Sequence, residues 1–522
     1  MVRIAKILPF LFAFLLLFSD SSYAQHIVPS IQWAKNFGGS DIDQALCIEQ
    51  TSDNGFIIAG LSYSNDGDVA GHHGTTDFAD YWIVKLDSNA NLQWQRSLGG
   101  DSDDVANSIK QTIDGGYIIA GYSNSNNGDV SGNHGRSDYW VVKLDDNGKI
   151  IWQKSYGGSK DDIAYSIIQT IDSGYLVIGA TNSNDGDITL NGSDTLKLSH
   201  SWVVKVDRNG KLLWNKILGD YLVEDAYSVK QTSDSGYIIA GQEDYSYWIV
   251  KIDSKGNIIW QKSYGGINDN VAYSIDLISD DGFIVAGYSA SSDGVVTGNH
   301  GNSDYWIIKL DLNGNLQWEK SFGGSNDDAA YSIKQTLDHG FIIAGNTASN
   351  DGDVTGNHGG DDYWVVKLDS AGNLQWQKTL GGSGEDFALS IIQTSDSSFA
   401  VAGSSDSFDG DITNNLGHED YWIVKLGTMV TTNAVRTNTF PSEALCFPNP
   451  FSDRTEIQFV KAIESPSEFI LYNLLGEEVQ RLKILSGAEN MIFTAGKLIK
   501  GMYVFHLLTN GQIIEEGRII IQ

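Results

Sequence analysis

The 522-residue sequence predicts an all-β protein, a seven-bladed β-propeller of four-stranded blades followed by a small β-sandwich. Three observations lead to this prediction. One segment repeats seven times, the tryptophans fall into two series of seven, and no part of the repeat region shows the 3.6-residue periodicity of a helix.

The repeat is clearest when residues 104–121 (DVANSIKQTIDGGYIIAG) are compared with residues 328–345 (DAAYSIKQTLDHGFIIAG). Successive copies lie mostly 58 residues apart, with one shortened unit of 46, and each copy supplies one tryptophan to each series. The first series is Trp82, Trp140, Trp202, Trp248, Trp306, Trp364 and Trp422; the second is Trp33, Trp94, Trp152, Trp214, Trp260, Trp318 and Trp376. Such strict recurrence favours packing between blades over exposed platforms for sugars.

Each copy reads as four short strands, a to d, which in the second copy cover residues 106–112, 117–121, 139–145 and 150–156. The unbroken apolar run of strand b indicates burial on both faces, and the alternation in copies of strand d suits an outer edge. The a–b and c–d links contain Asp, Asn and Gly, as tight hairpins require. Four antiparallel strands per repeat are typical of a propeller blade.

The ends of the repeat region predict how the blades close. The region begins with an isolated strand d, residues 31–39, and finishes with strands a, b and c, residues 388–426, but no d. Pairing the leftover strand with the incomplete blade would satisfy both exposed sheet edges. We therefore predict a closed ring, and we place the propeller at residues 25–427.

The remaining segments have different compositions. Residues 1–24 combine Arg3 and Lys6 with an apolar run and small residues before position 25, the pattern of a secretory signal peptide. Residues 428–446 read as a linker and residues 447–522 as a second domain. No later segment is apolar enough to span a bilayer, so no transmembrane segment is expected in the mature chain.

The charge balance excludes some partners. The chain carries 34 basic and 66 acidic residues, a net charge of −32, which opposes binding to nucleic acid. Its two cysteines, Cys47 and Cys446, lie far apart and have no metal-type spacing. A disulfide framework is therefore not expected.

The long polar connections, d–a and b–c, should emerge on one face of the propeller, which makes that face the predicted working surface. Two residues before the alanine of each strand a lies a polar residue, and these are Asp43, Asp104, Asp162, Glu224, Asn270, Asp328 and Asp386. Because strand a lines the channel, the six carboxylates among them should form a ring near its mouth. Two roles are open for them: each caps its own turn or bonds the backbone of a neighbouring blade, or together they bind Ca²⁺, which prefers oxygen ligands.

Other repeated residues suggest structural roles. The b–c loops offer paired carboxylates but lack the third ligand of a calcium loop. Their histidines, His73, His134, His300 and His358, stand one to a blade and are interpreted as turn residues. A lysine recurs in strand c of all seven copies, which indicates a structural ion pair: Lys85, Lys143, Lys205, Lys251, Lys309, Lys367 and Lys425. No hydrolase, phosphate-loop or zinc-protease motif occurs, so no catalytic residue is predicted.

The c–d hairpin pattern Val-Lys-Leu-Asp-x-x-Gly-Asn-Leu-x-Trp, present at residues 366–376, resembles the repeat of pyrroloquinoline-quinone-type propellers. The resemblance concerns the fold, because no quinone ligand is matched. No cofactor is therefore expected, apart from the Ca²⁺ considered above.

The C-terminal segment carries three blocks: FPNPF at residues 447–451, FILYNLLGEEV at 469–479 and LIKGMYVFHL at 498–507. Their order and spacing resemble the type A C-terminal sorting domain of the type IX secretion system. The resemblance implies a small β-sandwich, recognition by an outer-membrane translocon and removal by a sortase-like protease. The matching motif positions are Pro448, Asn449, Pro450, Gly476, Gly501 and Tyr503.

These observations predict a secreted or cell-surface-displayed, non-enzymatic binding or adhesion propeller of a Gram-negative bacterium. Carbohydrate or a protein is the expected ligand. Two alternatives stay open. One is a metal-dependent polysaccharide lyase or hydrolase that uses the acidic ring, and the other is a passive scaffold.

Overall fold

The computed structural model describes residues 28–188, 199–219 and 224–427, and in the C-terminal part residues 444–447, 454–459, 463, 465–473, 478–496, 498, 501–509 and 512–521. The chain divides into two compact units, Met1–Met429 and Val430–Gln522. All regular structure in the described residues is β-strand, and no helix among them could cross a membrane. The predicted signal peptide and residues 428–443 of the predicted linker lie outside the described residues.

The described part of the first unit contains seven four-stranded antiparallel sheets, which confirms the predicted all-β fold with seven blades. The first fourteen strands are β1 (Ser30–Phe37), β2 (Asp43–Gln50), β3 (Phe56–Ser62), β4 (Asp80–Leu86), β5 (Leu92–Leu98), β6 (Asp104–Gln111), β7 (Tyr117–Ser123), β8 (Asp138–Leu144), β9 (Ile150–Tyr156), β10 (Asp162–Gln169), β11 (Tyr175–Thr181), β12 (His200–Val206), β13 (Leu212–Leu218) and β14 (Glu224–Gln231). The next fourteen are β15 (Tyr237–Glu243), β16 (Ser246–Ile252), β17 (Ile258–Tyr264), β18 (Asn270–Ile278), β19 (Gly282–Ser289), β20 (Asp304–Asp311), β21 (Leu316–Phe322), β22 (Asp328–Gln335), β23 (Phe341–Thr347), β24 (Asp362–Leu368), β25 (Leu374–Leu380), β26 (Asp386–Gln393), β27 (Phe399–Ser405) and β28 (Asp420–Gly427).

The blades follow the chain in order. Blades 1 to 6 each consist of four consecutive strands, starting with β2, β6, β10, β14, β18 and β22. The seventh sheet has the order β26-β27-β28-β1, so its outer strand comes from the start of the unit. In this sheet Ser30 pairs with Gly427 and Phe37 pairs with Tyr421. This is the strand pairing that the leftover N-terminal strand predicted.

Burial within a blade follows the sequence pattern. Strands b and c are buried almost throughout, as in β4, where every residue from Asp80 to Leu86 is buried. Strand d is largely half-buried or exposed, as in β9. The seven tryptophans of strand c are fully buried, because each is covered by the neighbouring blade. In strand d, Trp94 packs against Tyr117, the first aromatic residue of strand b in the next blade, with ring centroids 5.8 Å apart. The equivalent contact is made by Trp33, Trp152, Trp260, Trp318 and Trp376.

Hydrogen bonds join each blade to the next. The hydroxyl of Tyr81 donates to the carbonyl of Trp140 at 2.9 Å, and Tyr421 of blade 7 donates to Trp82 of blade 1 at 2.8 Å. The same bond joins blades 2 and 3, 4 and 5, 5 and 6, and 6 and 7. Between blades 3 and 4 the tyrosine is replaced by Ser201, and this bond is absent from the described residues.

A second set of hydrogen bonds joins a–b turns to the inner strands of neighbouring blades. The side-chain oxygen of Gln111 in β6 accepts the backbone N–H of Ser52 in the a–b turn of blade 1 at 2.8 Å. Equivalent bonds include the one from Ser395 of blade 7 to Gln50 of blade 1, also 2.8 Å. Each repeated glutamine therefore connects neighbouring a–b turns.

The second unit contains two small sheets. Its strands are β29 (Ala444–Phe447), β30 (Arg454–Phe459), β31 (Ser467–Tyr472), β32 (Glu478–Ile484), β33 (Asn490–Thr494), β34 (Gly501–Thr509) and β35 (Gln512–Ile521). One sheet has the order β29-β30-β33 and the other β32-β31-β34-β35. Ile457 and Phe493 of the first sheet share a buried core with Phe469, Phe505 and Ile519 of the second. Two sheets around one core form the expected sandwich.

Candidate functional site in the central channel

The predicted acidic residues are buried at the beginning of the inner strands. Asp162 is fully buried, and its Oδ2 accepts the N–H of Gly158 at 2.7 Å and the hydroxyl of Ser183 at 2.9 Å. Asp43, Asp104, Asp328 and Asp386 have equivalent glycine and serine partners. Glu224 and Asn270 occupy the same position and are also fully buried. These contacts agree with the interpretation that each acid caps its own turn.

At five blade junctions, one of these acids lies beside a second aspartate, which begins strand c of the preceding blade. Asp138 at the start of β8 faces Asp162 across Gly157, since a Cβ on this glycine would lie 2.6 Å from one carboxylate and 2.7 Å from the other. Burial, which is the largest influence, raises the pKa of Asp162 to about 6. The same pairing occurs between Asp420 and Asp43, Asp80 and Asp104, Asp304 and Asp328, and Asp362 and Asp386.

No group of three histidine, cysteine, aspartate or glutamate side chains in the described part of the chain is arranged to hold a metal. Five of the six residues predicted to bind Ca²⁺ lie beside a second carboxylate, from the preceding blade, rather than beside one another; for Glu224 the equivalent residue of the preceding blade is His200. Calcium binding by the six-residue set therefore stays a prediction.

The other repeated charges also make structural contacts. His134 Nδ1 lies 2.6 Å from Asp138 Oδ2, and His73, His300 and His358 contact the equivalent aspartates. Lys85 Nζ lies 2.9 Å from Asp53 Oδ2, and each of the other six strand-c lysines pairs with an aspartate of its a–b turn. The predicted structural ion pair is confirmed in all seven blades.

A cavity of about 480 Å³ lies among the inner strands and is lined by residues of β2, β6, β10, β14, β22 and β26. Because six blades contribute to one cavity, it is the central channel. A second cavity of about 430 Å³ shares Lys334 and Ile392 with it and reaches Leu337 and Ser395, which are exposed on the a–b turns. The space therefore extends toward the a–b turns, at the opposite end of the inner strands from the predicted acidic ring.

A β-bulge in each inner strand shapes the channel wall. In β22, Ala330 pairs with Gly345 and Ser332 pairs with Ala344, so Tyr331 between them has no partner on β23. The bulge occurs at the same place in all seven inner strands. A bulge redirects one side chain relative to the regular alternation. Here that side chain is Leu46, Asn107, Tyr165, Tyr227, Tyr273, Tyr331 or Leu389.

The four tyrosines at the bulges belong to consecutive blades and contact one another. Ring centroids are 4.9 Å apart for Tyr165 and Tyr227, 5.2 Å for Tyr227 and Tyr273, and 5.0 Å for Tyr273 and Tyr331. We call these four residues the tyrosine wall. Of these four, Tyr331 borders the cavity, and in the other three blades the bulge position holds Leu46, Asn107 and Leu389.

A charged layer lies three residues further along the inner strands. It consists of Glu49, Lys110, Ile168, Lys230, Asp276, Lys334 and Ile392. Lys230 Nζ lies 2.8 Å from Asp276 Oδ1, and Lys110 Nζ lies 3.7 Å from Glu49 Oε2. Burial and the charge of Lys230 lower the pKa of Lys334 to about 7. Burial alone would raise the pKa of Asp276, but Lys230 and Lys334 outweigh it and lower that pKa.

The sequence prediction of a binding site did not include these channel residues. In the strand-a pattern Ala-x-Ser-Ile-x-Gln-Thr, the tyrosine wall and the charged layer occupy the two variable positions. Positions that differ between otherwise uniform copies were the available signal. A search for repeated residues passes over them.

Of the predicted sorting-motif residues, Gly501 and Tyr503 are described and lie in β34, where Tyr503 is buried in the core of the sandwich. Pro448, Asn449, Pro450 and Gly476 lie outside the described residues.

Residues 445–522 match a protein-family model described as the secretion system C-terminal sorting domain. No curated protein matches the chain.

Solved structures resemble the chain in fold. The WD40 domain of Pan2 from Neurospora crassa is 12% identical, with 73% of this chain and 88% of that chain covered and a TM-score of 0.43. YCF48 bound to D1 peptide is 10% identical, with 78% and 99% covered and a TM-score of 0.41. Puromycin hydrolase is 9% identical, with 80% and 59% covered and a TM-score of 0.44. This degree of likeness carries no argument about function.

Proposed function

We propose that this chain, a secreted or outer-surface protein with a type IX sorting domain, is a non-enzymatic binding protein whose ligand occupies the central channel. The sorting domain serves interaction with the secretion machinery. Its specific partners in this proposal are the outer-membrane translocon and a sortase-like protease. The ligand is a carbohydrate or a protein.

One observation supports the channel as the binding site. The residues that recur through the blades are engaged in turns, ion pairs and blade contacts, as Asp162 and Lys85 illustrate. The channel wall instead differs from blade to blade and leaves an accessible cavity of about 480 Å³, within the usual size range of ligand sites. A symmetric framework with an asymmetric cavity fits selective binding.

The proposal is tested by filling the cavity. Ser166 lines the channel and is partly exposed, so a Ser166→Trp variant should block it. We expect the full chain to bind defined glycans or proteins on arrays, Ser166→Trp to reduce that binding at least tenfold, and Ser254→Trp, in an exposed c–d turn, to leave it unchanged. Circular dichroism and melting curves establish that all three proteins are folded.

Three results would contradict the proposal. Equal binding by Ser166→Trp would place the ligand elsewhere, and no binding on either array would favour a passive scaffold. Release of sugar fragments from any polysaccharide, abolished by a chelator, would favour the metal-dependent lyase or hydrolase.

A further inference from the structure

The charged layer has an excess of positive charge although the chain as a whole carries a net charge of −32. Three lysines from different blades, Lys110, Lys230 and Lys334, border the same cavity. Glu49 and Asp276 each lie within 4 Å of one of the first two. Among the described residues Lys334 has no carboxylate within 4 Å of its ammonium group. An ammonium group without a partner in a cavity is costly, and an anionic ligand would supply the missing counter-ion.

These lysines have no role in the repeat. The equivalent positions in other blades are Glu49, Ile168, Asp276 and Ile392, and every blade folds in the same way with or without a cation there. The lysines of strand c behave differently, because each has its own aspartate in all seven copies. A structural role in forming the blade therefore explains the strand-c lysines but not Lys110, Lys230 and Lys334 in the channel.

Tyr331 of the tyrosine wall adds a second type of contact to the same space. Tyr331 borders the cavity together with Lys334, three residues further along β22. Tyrosine offers an apolar ring face and a hydroxyl group, and it suits ligands that have both apolar and polar surfaces. A site that combines ammonium groups with the aromatic ring of Tyr331 matches an anionic ring compound better than a bare inorganic ion.

We propose that the channel binds an anionic sugar residue, with Lys334 as the main partner of its acidic group and Tyr331 beside its ring. This inference rests on the proposed function and specifies the class of ligand. The acidic group is a carboxylate, as in a uronic acid, or a sulfate, and both present anionic oxygens to the ammonium group.

The test is isothermal titration calorimetry of the full chain with galacturonate, galactose 6-sulfate and galactose. We expect at least one of the two anionic sugars to bind at least tenfold more tightly than galactose, and the stronger of them identifies the acidic group. Lys334→Gln should weaken that binding at least tenfold. Lys320→Gln removes the same charge from an exposed position on β21 and should leave it unchanged.

The pH dependence of binding provides an independent readout. The groups that face Lys334 are Cys47 and Glu49 of β2, Lys110, Lys230 and Asp276. Since burial and Lys230 lower the pKa of Lys334 to about 7, its ammonium form is depleted above that pH. We expect the affinity for the anionic sugar to fall between pH 6 and 8.5 in the natural protein and to vary less in Lys334→Gln.

Equal binding of galactose and the anionic sugars, or an unchanged affinity of Lys334→Gln, would overturn this inference. The proposed function would survive in that case if Ser166→Trp still abolished binding of a neutral glycan or a protein. Absence of any heat with all three sugars, combined with array binding that Ser166→Trp blocks, would likewise refute only the anionic-sugar inference.

Discussion

At the scale of single residues, burial makes the ionised form of the aspartates at the blade junctions less favourable than the protonated form. Burial raises the pKa of Asp43 and Asp104 to about 7 and that of Asp162, Asp328 and Asp386 to about 6. The pKa is lowered instead in a group of aspartates that pair with strand-c lysines: Asp53, Asp114, Asp172, Asp234, Asp338 and Asp396. Burial alone would raise the pKa of Asp53, but Thr51 and Lys85 outweigh it and lower the pKa to about 2.

These opposite shifts predict a stability maximum in mildly acidic solution. A folded-state pKa of 6 to 7 means that the native protein binds more protons than the unfolded chain between about pH 4 and 7, so stability falls as the pH rises through that window. Carboxyls with a lowered pKa lose their contribution as the pH falls from about 4 to 2. Urea unfolding from pH 3 to 8 should therefore show the highest stability near pH 4 and a decline toward pH 7.

Asp104→Asn isolates one of these groups. We expect it to flatten the decline in stability between pH 5 and 8, whereas Asp146→Asn, in an exposed c–d turn, should follow the natural protein. If Ca²⁺ occupied the carboxylate pairs, millimolar calcium would raise the melting temperature at pH 8, and Asp104→Asn would reduce that increase. An unchanged pH profile in Asp104→Asn would show that its carboxyl is not perturbed.

At the scale of strands, the inner-strand bulge depends on a glycine in the neighbouring strand b. The bulge in β22 brings the carbonyl oxygen of Ala329 against Gly345, so a Cβ on this glycine would overlap that oxygen. The Cβ would be fixed to the backbone of strand b and the oxygen belongs to the backbone of strand a. Only a shift of the bulge would therefore relieve the clash. The same glycine recurs at Gly60, Gly121, Gly179, Gly241, Gly287 and Gly403, which explains why each strand b carries the Gly of its repeat.

We therefore expect Gly345→Ala to destabilise the propeller by about 3 kcal/mol, at the upper end of typical overpacking costs. The matched control is Gly115→Ala in an a–b turn, where a Cβ would meet nothing within 4 Å and the cost comes only from the positive φ of 85°. That cost should be about 1 kcal/mol. Equal losses in urea-unfolding measurements would show that the bulge tolerates a side chain at this position.

The tyrosine hydroxyls between blades provide a second measurement at this scale. Tyr363→Phe removes the donor to the buried carbonyl of Trp422 and keeps the ring contact, whose centroids are 4.6 Å apart. We expect a loss of about 1–3 kcal/mol, the cost of an unsatisfied buried acceptor. Tyr245→Phe, which changes a ring that is 65% exposed, should cost far less in the same unfolding assay.

At the scale of the whole molecule, the seventh blade combines the two ends of the propeller unit. Without β1, the backbone edge of β28 would lose the partners that Trp33 to Phe37 supply. We expect a chain lacking residues 28–39 to melt at a lower temperature and to self-associate in light scattering. Removal of the equivalent outer strand from an interior blade is no control, because it breaks the chain. An unchanged melting temperature and mass would contradict the predicted role of β1.

The blades could be predicted from the sequence because the seven copies of the repeat can be compared, which shows the strand limits and the recurring residues. The limits expected for strand d of blade 2, residues 150–156, are those of β9, and the tryptophan and lysine series have the expected packing and ion-pair roles. The channel was harder to predict. The proposed binding role of Lys334 and Tyr331 depends on side chains from other blades, and only the three-dimensional arrangement brings these to one cavity.

The pairing of Ser30 with Gly427 joins residues separated by 397 positions, far more than the separation within any other blade. Contacts of such high sequence separation form late, because a long loop must close first. Blades 1 to 6 are each local and can form as the chain emerges, but blade 7 must wait for both ends. Completion of this one sheet should therefore set the time during which a newly exported molecule is open to proteolysis.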